Sequence, residues 1–203
     1  MFVDTSLQFS SWSAGQALTA LTAGQTGYSS NAIDIYAGAV ANTGSLTSAT
    51  YQGAAAPVVF NNVSGSVLSA DLGIGDGVVP PTVQVNVFTT FTAASGSPTL
   101  TVNLYGAIDN GSYAAGTATL LYTSAAIATS NLVNNYSASN PSGSGTVLQF
   151  PIPPRVPGEA KPRFYYLTYT LGGSGTWSAG AVAAGIVLNP PSSLTGSNMA
   201  INY

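Results

Sequence analysis

Cysteine and histidine are both absent from these 203 residues, and charge is nearly so: three Lys or Arg stand beside six Asp or Glu. Without cysteine there is no disulfide, no thiolate metal site and no thiol nucleophile. Without histidine there is no Ser-His-Asp triad, no imidazole base and no His-ligated metal. The net charge of −3 supplies no basic stripe of the kind that tracks a phosphate backbone, so nucleic acid is not an expected partner. The opening Met-Phe-Val-Asp-Thr-Ser lacks the basic and apolar segments of a secretory leader. The longest apolar run, around Ala181–Leu188, is broken by Gly185 and is far too short to span a bilayer. The expectation is a soluble protein made in the cytoplasm.

The 4% of charged residues compares with about 25% in ordinary soluble domains. Ala, Ser, Thr, Gly and Asn stand where Lys and Glu usually do. Because monomers commonly keep themselves soluble with mixed surface charge, this composition favours a symmetric assembly over a lone chain.

What is present reads as β structure. From Thr82, Val83, Val85, Val87 and Phe91 share one parity, while Gln84, Asn86 and Thr90 take the other. From Thr99, Leu100, Val102, Leu104 and Ile108 alternate with Thr101, Asn103 and Tyr105. A period of two carried by β-branched and aromatic residues marks a half-buried strand. The Gly96–Pro98 break predicts an antiparallel connection between the two runs. Further short strands are expected within Phe2–Phe9, Ala32–Tyr36, Ala118–Tyr122 and Val147–Pro153, with Leu148, Phe150 and Ile152 on one face of the last. Phe164–Leu171 and Thr176–Leu188 read as two more, joined by a turn at Gly172–Gly175. Ser10–Ala23 reads as a loop or weak strand and Ser130–Gly145 as a surface loop.

About eight strands, no convincing helix and no repeat give an all-β chain, a jelly-roll-like β-sandwich with long loop insertions. Residues 1–203 form a single domain on this reading, with a polar C-terminal tail over 190–203. Residues 37–70 are Gly-, Ala-, Ser- and Thr-rich, and a long unstructured loop is unusual inside a compact domain. They read as an inserted hairpin or an arm, anchored near Val58, Val59 and Phe60 on its own sandwich or on a neighbour.

Candidates for chemistry are few. Asp71 and Asp76 lie in one Gly-rich turn, where Asp more often stabilises local backbone than acts as a glycosidase pair. Gly73-x-Gly75-x-Gly77 has the wrong spacing for a phosphate loop and no helix after it. Asp109-Asn110-Gly111-Ser112 offers too few oxygens to fill the six to eight ligands calcium takes. No catalytic, cofactor-binding or metal site is expected, and the chain is not read as an enzyme. Trp12, Trp177, Tyr165, Tyr166 and Tyr169 are candidate sugar platforms, although an alternating strand must turn half of its rings inward. All three basic residues, Arg155, Lys161 and Arg163, fall at a Pro-rich bend. Such a spot suits charge-assisted contact with a partner carboxylate, or it is an ordinary solvated loop.

The order of short blocks resembles a family. Phe2-Val3-Asp4, Leu7-Gln8-Phe9-Ser10, Gln16-Ala17-Leu18-Thr19-Ala20 and Ser30-Asn31-Ala32-Ile33-Asp34 are followed by Asp71-Leu72-Gly73-Ile74-Gly75-Asp76-Gly77 and Thr99–Leu104. Pro153-Pro154-Arg155, Arg163–Leu167 and Ser178–Val182 with Ala184-Gly185 close the succession. Together they resemble the capsid cement, or decoration, proteins of tailed bacteriophages. That resemblance implies a jelly-roll homotrimer on the outside of a phage head, bridging capsomers, with the major capsid protein as partner and no membrane, cofactor or enzymatic activity. Residues 37–70, the Ser130–Gly145 loop and the tail after Asn189 depart from the family pattern. The competing class is a lectin-like jelly-roll module that binds host-surface glycans.

Overall fold

The structure is a computed structural model that describes residues 7–34, 58–60, 81–109, 115–134, 146–153 and 162–187. Among these the strands are β1 (Gln8–Ser10), β2 (Gln16–Ala17), β3 (Thr26–Tyr28), β4 (Asn31–Asp34), β5 (Val58–Phe60) and β6 (Thr82–Asp109). They continue with β7 (Ala115–Thr123), β8 (Ile127–Ala128), β9 (Thr146–Pro151) and β10 (Phe164–Val187). A 3₁₀ turn lies at Thr129–Asn131. The chain is all-β.

Hydrogen bonding joins every strand into one sheet, where two had been expected, in the central order β5-β4-β10-β6-β7. Pairing is antiparallel except between β4 and β5, which run parallel with Asn31 opposite Val58 and Ile33 opposite Phe60. Val58–Phe60 is thus anchored on the chain's own sheet, one of the two anchorages its apolar run allowed.

Two long strands dominate. β6 and β10 pair antiparallel from Ala107 opposite Phe164 to Thr82 opposite Val187. This corrects two turns expected from the sequence. Gly96–Pro98 does not form a hairpin loop between two separate strands, and neither does Gly172–Gly175; both segments lie inside continuous strands and face each other, Pro98 against Gly173 and Gly96 against Gly175. Gly96 (φ 63°) and Gly175 (φ 94°) adopt left-handed backbone that L side chains rarely take. A Cβ on Gly175 would fall on the Ser95 carbonyl, and one on Gly96 on the Ser174 carbonyl. The glycines are spent on close approach and distortion of a paired ribbon. Register shifts between Thr176 and Val182 mark the same region.

Contacts between the two arms of the ribbon follow from side-chain positions. In a straight strand Tyr169 and Ala184 would stand ~50 Å apart. Yet Ser10, which pairs with Ala184, has its Oγ 2.7 Å from the Tyr169 hydroxyl. Tyr122 on β7, opposite Leu104, stacks at 3.7 Å on Phe150 of β9, which lies opposite Val83. The arms meet.

One apolar cluster accordingly takes residues from both arms: Val83, Val85, Val87 and Phe91 with Leu100, Val102 and Leu104, and Leu167 and Leu171 with Val182 and Ile186. These are the positions that the period of two selects. Fully burying each such side chain contributes about 1.5–3 kcal/mol. A strap from Ile127 to Asn134 ties the arms of β6 to each other. Ile127 and Ala128 pair with Leu100 and Thr99, while the Leu132 carbonyl accepts the Phe91 N–H at 2.9 Å. Asn134 donates its backbone N–H to Thr90 Oγ1 and its Nδ2 to the Phe88 carbonyl, at 2.9 and 2.7 Å. Leu132 itself is fully buried in the cluster.

Candidate interaction surface

The basic spot looks different in three dimensions. Arg155 and Lys161 lie outside the described residues. Arg163 sits just before β10 and is only 6% exposed. Its backbone N–H donates to the Ala107 carbonyl at 2.8 Å, and its guanidinium lies 5.0 Å from the centroid of the Phe164 ring, within cation–π range. Arg163 is therefore built into the sheet rather than held out to solvent.

Phe164 belongs to a second, smaller cluster on the face opposite the main core. Strand alternation sends Tyr165, Leu167 and Tyr169 into the first cluster. It sends Phe164 and Tyr166 to the other side, with Ala32 and Ala107. Tyr28 and Tyr105 pack against it. Tyr105 stacks on Tyr166 with centroids 5.4 Å apart and planes 7° from parallel, and Tyr28 tilts against the same ring at 5.9 Å. Burial, and secondarily the neighbouring Tyr105, pushes the Tyr28 hydroxyl above the ordinary tyrosine value. Tyr28 lies on a strand that composition did not single out; its partnership with Tyr166 follows from β3 pairing with β10.

The five rings proposed as sugar platforms are mostly inside. Trp177, Tyr165, Tyr166 and Tyr169 are at most 4% exposed. Trp177 meets Phe91 edge-on at 4.9 Å and donates its indole N–H to Thr129 Oγ1 at 3.0 Å. Thr129 in turn donates to the Pro98 carbonyl at 2.7 Å, so the ring is fixed to the strap and the distorted ribbon together. Burial drives the Tyr169 hydroxyl far above the usual tyrosine range, opposed by its hydrogen bond to Ser10. Trp12 is half-buried.

Asp71, Asp76 and Gly73–Gly77 lie outside the described residues, as do Asn110–Ser112; Asp109 ends β6. Among the described residues no group of three His, Cys, Asp or Glu side chains is placed to hold a metal ion. No helix among them is long and apolar enough to cross a membrane.

What the described surface does present is neutral strand. The large exposed hydrophobic side chains are Phe88, Leu120 and Val133. Phe88 covers the turn at Gly15, where an added Cβ would lie 2.6 Å from the ring. Leu120 is on β7, at one end of the sheet. No protein-family model matches the chain, and no curated protein matches it.

Proposed function

We propose that this chain is a structural virion protein: a capsid cement protein that binds the outside of a tailed-phage head as a homotrimer and bridges capsomers. On this reading the fold is a jelly-roll-like sandwich, in which the β6–β10 ribbon doubles over so that its arms supply the two layers. The Ser10–Tyr169 and Tyr122–Phe150 contacts support that doubling.

The observation that carries the functional reading is the near-absence of charge on an all-β scaffold. A neutral surface of Thr, Ser, Ala and Gly suits burial against identical neighbours and a shell. Attachment would then be multivalent, each trimer engaging several sites at high effective concentration. The ordered sequence blocks point the same way. The glycan-binding alternative is weakened by the burial of Trp177, Tyr165, Tyr166 and Tyr169, whose faces are occupied by protein.

Co-sedimentation with purified heads of the phage that carries this protein, run beside a glycan array, separates the two classes. Saturable pelleting with heads and no glycan retention is expected. Glycan retention without head binding would overturn the proposal.

A further inference from the structure

The sheet order ends at β7. This nine-residue strand pairs with β6 along one side, and among the described residues no strand pairs with its other side. Such an edge leaves a row of backbone N–H and C=O groups that can template another strand, and proteins usually blunt it with Lys, other charges or Pro. β7 reads Ala-Gly-Thr-Ala-Thr-Leu-Leu-Tyr-Thr and contains none of these. Register shifts between Leu104 and Tyr105 and between Ala107 and Asp109 shorten the regular ladder. They leave Ala118, Thr119 and Leu120 in continuous register with Ala107, Gly106 and Tyr105. Leu120 is 48% exposed, more than any other large hydrophobic described, and Thr117, Thr119 and Thr123 are exposed around it.

We propose that the outer edge of β7 is the place where a second copy of this chain adds on, by strand-to-strand pairing centred on Ala118–Leu120. The chemistry selects a copy of itself. A charged partner would find no counter-charge on β7, whereas a neutral strand of a second copy meets no uncompensated charge there. With so few charges in the chain, little electrostatic repulsion opposes contact between copies. Each copy also carries the sheet's other end, β5, so an edge strand is available on the incoming molecule as well. Backbone pairing provides the hydrogen bonds, and Leu120 provides apolar area that would otherwise remain wet. The proposal deepens the self-assembly part of the function above and is independent of the capsid.

The test is light scattering on the full chain at micromolar concentration, comparing wild type, the double variant Thr119→Lys/Leu120→Lys, and Ala94→Lys in the exposed part of the ribbon. The expected result is a multimer for wild type and Ala94→Lys. The double variant should show the mass of one chain and still unfold in a single cooperative transition, at a midpoint that no longer rises with protein concentration. Amide hydrogen exchange on wild type supplies a check that needs no variant: protection across Thr117–Leu121 should rise with protein concentration. A wild type of single-chain mass, or concentration-independent exchange in β7, overturns the proposal. So does a folded double variant that remains multimeric. A multimeric wild type that fails to bind heads refutes the capsid reading and leaves this one standing.

Discussion

Replacing Gly175 by Ala should destabilise the protein strongly, whereas replacing Gly24 by Ala should be mild, and the contrast isolates what the ribbon demands. Both glycines have positive φ, 94° and 81°. Left-handed backbone at a non-glycine residue costs about 1–3 kcal/mol, and reduced freedom of the unfolded chain returns about 0.4–1 kcal/mol. Gly24 has nothing within 4 Å of an added Cβ, so only those two effects act there. At Gly175 the Cβ would strike the Ser95 carbonyl of the facing strand. That atom is backbone, held in place by pairing through Gly96, and cannot swing aside as a side-chain tip does. Overpacking adds about 1–3 kcal/mol, bringing Gly175→Ala to roughly 2–5 kcal/mol against a total stability of about 5–15 kcal/mol. Urea unfolding followed by tryptophan fluorescence reads this directly. Trp177 is 3% exposed and lies two residues from Gly175, so its emission reports on the ribbon as well as on global unfolding. Equal losses at the two positions, within about 0.5 kcal/mol, would refute the claim that close backbone approach makes glycine necessary at Gly175.

Two more expectations test the strap and the buried tyrosine. Leu132→Ala should cost about 2–5 kcal/mol and should abolish the exchange protection of the Phe91 amide, which bonds to the Leu132 carbonyl; a loss below about 1 kcal/mol with protection intact would show that the strap is not needed. Tyr169 has a folded-state pKa raised from 10.0 by burial, so its contribution is fully present below pH 10 and declines above it, as the unfolded chain releases a proton that the folded chain retains. The slope is about 1.4 kcal/mol per pH unit. Tyr169→Phe should flatten the alkaline fall without abolishing it, since Tyr28 and Tyr122 shift the same way; identical alkaline slopes in variant and wild type would exclude Tyr169 as a source.

The alternation of Val83, Val85, Val87 and Phe91, and of Leu100, Val102 and Leu104, was enough to assign strands and their buried face, because a strand's period belongs to its own backbone. The absence of His and Cys likewise excluded whole chemistries without any coordinates. Whether Gly96–Pro98 and Gly172–Gly175 form hairpin loops or bend a continuous paired ribbon was not legible locally. The answer depends on each segment facing the other across a ladder, a pairing between residues far apart in the chain. Arg163 reads as a surface cation until Phe164 is placed beneath its guanidinium. Parity puts Tyr165 and Tyr166 on opposite faces, but their simultaneous burial needed the second cluster, to which Ala32, Ala107 and Tyr28 are brought by separate strands. Period and composition are properties of neighbours along the chain. Burial, close approach and the meeting of the two arms are properties of neighbours in space, and only tertiary structure decides them.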